Sequence, residues 1–125
     1  MKKIIYTLII IISLTHTSFS AGTNNSSDKK SNYTKAYDLI KSAKKLEIKG
    51  KIKKAKKKYE KAQKFLLMSN KEKPLQADTL NYLGFSTRKI GDFKKGEEFY
   101  LQGLEIDPNH KGINEYLGEL YVVTN

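Results

Sequence analysis

The sequence predicts an all-α fold built from antiparallel helix pairs, and three observations point to it. Asn81-Tyr82-Leu83-Gly84 and Glu115-Tyr116-Leu117-Gly118 align at a separation of 34 residues. Pro74 and Pro108 stand the same 34 residues apart. Small residues, Ala or Gly, alternate with large apolar ones at helical spacing through the intervening segments. A period of this length holds two helices and their turns, and repetition of the unit implies a stack of such pairs.

The elements follow in chain order. Met1-Lys2-Lys3 is a short basic stretch, and Ile4 to Leu14 is an uncharged apolar run containing six Ile. Ser18 and Ser20 then place small residues at −3 and −1 of a cleavage site before Ala21. This is the anatomy of an export signal over 1–20, so the expected location is the periplasm. The alternative is an uncleaved signal that anchors the chain in the inner membrane, although eleven apolar residues are few for a hydrocarbon core roughly 30 Å thick. Residues 21–32 are polar and aperiodic, and are expected to form a flexible leader.

Five helices are expected beyond the leader, at about 33–48, 52–69, 75–90, 93–105 and 109–123. Gly91-Asp92 supplies a helix stop and then an N-cap. Asp107-Pro108 supplies an N-cap and a Pro at the first helical position of the last helix. Gly84, Gly96 and Gly103 sit inside helices, where each costs about 1 kcal/mol against Ala. Close helix packing has to offset that cost.

These residues resemble the tetratricopeptide (TPR) repeat family. With Ala77 as position 1, Leu80, Leu83, Gly84, Gly96, Tyr100, Gly103 and Pro108 fall on the family's pattern, while Thr87 stands where Tyr is usual. The next unit matches at Leu117, Gly118 and Tyr121, with Asn114 in place of a large residue. An earlier unit is similar through Leu39, Ala43, Leu46, Gly50, Ala55, Tyr59 and Ala62, with Ser42 replacing Leu. Ala55 to Gly96 is 41 residues, seven beyond the period, so the second helix is expected to run long. The units are about 36–69, 77–110 and an incomplete 111–125, two and a half repeats in all.

The resemblance implies a protein-interaction module, a scaffold or adaptor binding a peptide or helix of a partner protein in the groove formed by the first helix of each pair. By position in the repeat, the groove residues are Tyr37, Ile40, Lys44, Glu47 and Ile48 in the first unit. They are Asp78, Asn81, Phe85, Arg88 and Lys89 in the second, and Gly112, Glu115, Glu119, Val122 and Val123 in the third. At the positions where one subgroup grips peptide C-termini, the chain has Ile40, Lys44, Tyr82, Gly112 and Tyr116, and only Lys44 has suitable chemistry.

Charge gives the alternative reading. Residues 29–73 hold 17 Lys against four acids, net +13, whereas residues 77–125 are net −3. Lys51, Lys54, Lys58 and Lys61 form a helical stripe, broadened by Lys53, Lys56, Lys57 and Lys64. Ile52, Ala55, Tyr59, Ala62 and Leu66 form the opposite, apolar stripe. Lys53, Lys54, Lys57 and Lys58 are therefore candidates for docking on an anionic membrane or envelope polymer. Export argues against nucleic acid as the polyanion. Ile113, Tyr116, Leu117, Leu120, Tyr121 and Val122 give the last helix an apolar surface through which the chain could self-associate.

No enzyme, cofactor or metal is expected. The chain has no Cys, which excludes a disulfide framework, a thiolate metal site, a catalytic thiol and a lipoprotein anchor. His110 has no second His or Cys near it in sequence. Glu97-Glu98 beside Lys94-Lys95 read as an exposed charge cluster, and no nucleophile–base pair or phosphate-cradling loop is present.

Overall fold

The computed structural model describes residues 29–125, which form five helices and no strands. The expected export signal and residues 21–28 of the leader lie outside the described residues. The helices are α1 (Asn32–Ile48), α2 (Ile52–Glu72), α3 (Ala77–Ile90), α4 (Phe93–Ile106) and α5 (Lys111–Thr124). α1 packs along α2, α3 along α4, and α2 and α3 join the two pairs. This is the all-α, helix-pair repeat architecture that the 34-residue period predicts.

Turn chemistry sets the pairs. Gly50 (φ 68°) and Gly91 (φ 109°) take left-handed backbone at the ends of α1 and α3. Each closes the same double bond. Gly50 N–H donates to Glu47 O and Lys51 N–H to Leu46 O, while Gly91 N–H donates to Arg88 O and Asp92 N–H to Thr87 O. The last carbonyls are thereby satisfied and the chain reverses. Ser31 caps α1 and Asp92 caps α4, accepting from Thr34 N–H and Lys95 N–H.

Several boundaries shift by one to three residues from the sequence expectation, α3 for instance starting at Ala77 rather than 75, and three of the shifts have a visible cause. α1 begins at Asn32, inside the expected leader, because Ser31 caps it. α2 runs to Glu72, stopped by Pro74, which biases the residue before it away from helical backbone. α2 has 21 residues and α4 has 14, so the seven-residue excess is two further turns of α2. α5 starts at Lys111, capped by the His110 ring accepting from Ile113 N–H. Asp107 is not its cap: it ends α4, and its carboxylate accepts from Asn109 N–H in the turn.

Gly84, Gly96 and Gly103 sit at helix crossings. A Cβ on Gly84 would lie 2.5 Å from two atoms of the Tyr100 ring. One on Gly96 would meet the Gly84 carbonyl at 3.1 Å. One on Gly103 would collide with the Ile113 side chain of α5. Tyr59 and Tyr100, at equivalent positions of the two second helices, are fully buried. The core runs from Ala36, Ile40 and Ala43 through Ala55, Leu66 and Leu80 to Phe99, with a second cluster of Tyr100, Ile113, Leu117 and Leu120.

Candidate functional site

α1, α3 and α5 are neighbours through α3, and their facing sides build an aromatic floor with a charged rim. Phe85 of α3 stands at the centre. Its ring lies 5.7 Å from that of Tyr59 and 4.7 Å from that of Tyr116. Towards the start of α1 the floor continues with Tyr82, whose ring meets Tyr33 and Tyr37 edge-on at 6.0 and 5.6 Å. Such edge-on pairs set the positive rim of one ring against the negative face of another.

Three cations crowd this floor. Lys44 Nζ lies 4.5 Å from the centre of the Phe85 ring and donates to the Tyr116 hydroxyl at 2.9 Å. Arg88 is nearly buried and pairs with Glu119 at 2.7 Å. Its guanidinium lies 5.6 Å from the centre of Phe85 and 6.0 Å from that of Tyr116. Lys89 pairs with Glu47 at 2.9 Å, and Glu47 also accepts from the Tyr59 hydroxyl. Cations against ring faces gain electrostatic attraction, more when water is excluded. Two carboxylates thus answer two of the three cations. Lys44 has no carboxylate partner among the described residues. Lys44, Glu47, Ile48, Phe85, Lys89, Tyr116 and Glu119 line a crevice of about 300 Å³.

The surroundings shift the tyrosines. Burial, then the hydrogen bond to Glu47, raises the Tyr59 phenol above its ordinary value. Burial likewise raises Tyr82 and Tyr100. Tyr33 is pushed up to about 12 by burial, helped by the nearby charge of Asp78.

The structure differs from the sequence reading of the groove. Ile40, Asn81, Phe85 and Arg88 are buried, so they form its floor and walls rather than open contacts. The cause is the cover from neighbouring first helices: Lys44 of α1 and Tyr116 of α5 lie over Phe85, and Gly112 lets α5 approach the Asn81 amide. Tyr37, Lys44, Asp78, Lys89, Glu115 and Glu119 keep some or most of their surface open. Glu115 is exposed but does not line the crevice, whereas Asp78 binds His110 Nε2 at 2.9 Å. By sequence Tyr116 stands at a clamp position and on the apolar surface of the last helix, not among the groove residues. Its 34-residue alignment with Tyr82 was the signal that both tyrosines belong to one floor.

The lysine face also shifts. Ile52 is exposed, not part of the buried stripe, and Lys58 is half-buried at the flank. Lys53, Lys54 and Lys57 are exposed. On α5, Ile113, Leu117 and Leu120 are buried under α3 and α4, leaving Tyr121, Val122 and Val123 as its exposed apolar residues. The expected apolar end is correspondingly smaller. Tyr121 donates to Glu97, and Lys95 pairs with Glu98.

No family model matches the sequence, and no curated protein matches it. Solved structures do. One is the first TPR domain of Spaghetti (RPAP3) bound to the HSP90 peptide SRMEEVD, with a TM-score of 0.48 and 13% identity over 74% of this chain and 95% of that one.

Proposed function

We propose that this chain is a protein–protein interaction module of the periplasm or cell envelope, holding a partner peptide or helix against the groove of α1, α3 and α5. One observation carries the reading: Lys44, held over the Phe85 ring without a carboxylate partner, lines a crevice of about 300 Å³. A segment that places an acidic side chain at Lys44 and an apolar one on the Phe85–Tyr116 floor satisfies both. A hydrogen bond to a charged group contributes about 1.5–3 kcal/mol, which is tenfold or more in affinity. The remaining charges of both signs then select the register of the partner.

Photo-crosslinking in cells tests this. Ile48 lines the crevice yet is 87% exposed, so a photoreactive side chain there leaves the packing intact. Position 48 should capture a discrete partner, and Lys94, on α4, should not. Lys44→Met keeps an apolar cover over the rings but removes the charge, and should weaken capture about tenfold. Equal capture from positions 48 and 94, or capture indifferent to Lys44→Met, would refute the groove. A mature N-terminus at Ala21 in the envelope fraction tests the location.

A further inference from the structure

The outward face of α2 takes no part in the groove. At 100° per residue, Lys53, Lys57, Lys64 and Lys71 share one pole of the helix, flanked by Leu67 and Met68. The opposite pole, with Ala55, Tyr59, Ala62, Leu66 and Ser69, is buried. The lysine pole extends about 27 Å. Among the described residues none of its lysines joins an ion pair, and Glu60 is its one acid. The fold therefore leaves this row of charge unanswered. Leu67 and Met68 are 47% and 50% exposed on the same pole. They lie in the two turns by which α2 exceeds α4.

The chemistry of the pole favours one anionic partner. It has no Arg, and the single Arg of the chain, Arg88, is in the groove. It therefore lacks the planar fork that binds phosphates bidentately. It exposes no aromatic ring on which a base could stack. What it offers is long, flexible ammonium stems beside aliphatic side chains, which suits headgroups above and acyl chains below. The charge segregation, net +13 over residues 29–73 and −3 over residues 77–125, turns this face towards a negative surface. We propose that the outward pole of α2 docks on an anionic lipid bilayer, with its lysines among the headgroups and Leu67 and Met68 in the acyl boundary. Docking in this orientation is independent of what the groove holds.

The chain has no Cys, so a single Met68→Cys substitution carries an environment-sensitive fluorophore. Val122→Cys on α5, 82% exposed, is the control. Labelled full chain is mixed with vesicles of phosphatidylglycerol and phosphatidylcholine, or of phosphatidylcholine alone. The label at 68 should move to an apolar environment on the anionic vesicles only, and the label at 122 should not. Apolar residues 4–14 could tether every variant equally, but the label reports the α2 face itself. Replacing Lys53, Lys57, Lys64 and Lys71 by Gln should weaken the response about five-fold per lysine, and molar salt should suppress it. The proposal is overturned if the label at 68 stays in water on anionic vesicles, or if the label at 122 responds equally. It is also overturned if soluble polyphosphate binds as well as the vesicles and the lysine changes leave insertion unaltered.

Discussion

Gly84 and Gly118 occupy the same place in consecutive units, yet alanine should have opposite effects at the two. At Gly84 a Cβ would lie 2.5, 2.5 and 2.9 Å from three atoms of the Tyr100 ring. That ring is fully buried and cannot swing away, so α3 and α4 must part. Overpacking of this kind costs about 1–3 kcal/mol, and three contacts below 3.0 Å place it at the upper end. Alanine regains about 1 kcal/mol of helix propensity, leaving a net loss of about 2 kcal/mol. At Gly118 a Cβ meets nothing within 4 Å, so the propensity gain of about 1 kcal/mol stands alone. For a domain of this size 1 kcal/mol moves Tm by about 4–8 °C. Gly84→Ala should thus lower Tm by about 8–16 °C and Gly118→Ala raise it by about 4–8 °C. Thermal and urea unfolding followed by circular dichroism measure both. Changes of the same sign, or a stabilised Gly84→Ala, would refute close stacking of α3 on α4.

Other consequences are open to measurement. His110→Ala removes the ring that caps α5 and should cost about 1 kcal/mol, whereas His110→Asn, a good cap, should recover most of it in urea denaturation. Gln63→Ala strips the buried Thr87 hydroxyl of its 2.8 Å donor and should cost about 1–3 kcal/mol by the same assay. Burial holds the phenols of Tyr33, Tyr59, Tyr82 and Tyr100 above their unfolded value, which is about 10. The folded chain keeps these protons longer than the unfolded chain. Stability should therefore be intact below about pH 10 and be lost as pH rises through the folded values, which for Tyr33 is about 12. Tyrosinate absorbance should show a late step coincident with loss of helical signal. A single step near the ordinary value would refute the buried assignment.

The helices and their crossings were legible because they depend on local rules. Gly84, Gly96 and Gly103 carry a propensity cost with no local reason, so their presence inside helices announced close contact. Gly50 and Gly91 announced chain reversals. Burial of the groove was less legible. The repeat position of Asn81, Phe85 or Arg88 gives its heading from α3, but the cover comes from Lys44 and Tyr116, 41 and 31 residues from Phe85. In an array of five helices both flanks of α3 are occupied close at hand, so its inner face becomes a floor. His110 looked solitary because Asp78, its partner, is 32 residues away. The stripe of Lys51, Lys54, Lys58 and Lys61 centres about a quarter turn from the outward pole, on the flank where Lys58 is half-buried. Ile52, the first residue of α2, is exposed rather than core.

The departure from strict repetition is where the two surfaces part. The first helices α1, α3 and α5 build the groove, and their cations are largely answered by Glu47 and Glu119. The second helix α2 carries the unanswered lysines. Aligned through Ala55 and Gly96, residues 66–72 of α2 have no counterpart in α4. These two turns are packed, since Leu66 and Ser69 are buried, and seven residues advance a helix by nearly two whole turns. The pole therefore keeps its heading through the extension: Lys71 falls in line with Lys53 and Lys57. Preservation of phase is a requirement of packing on α3. It also produces one continuous face, basic along its length and aliphatic near its end, pointing away from the groove.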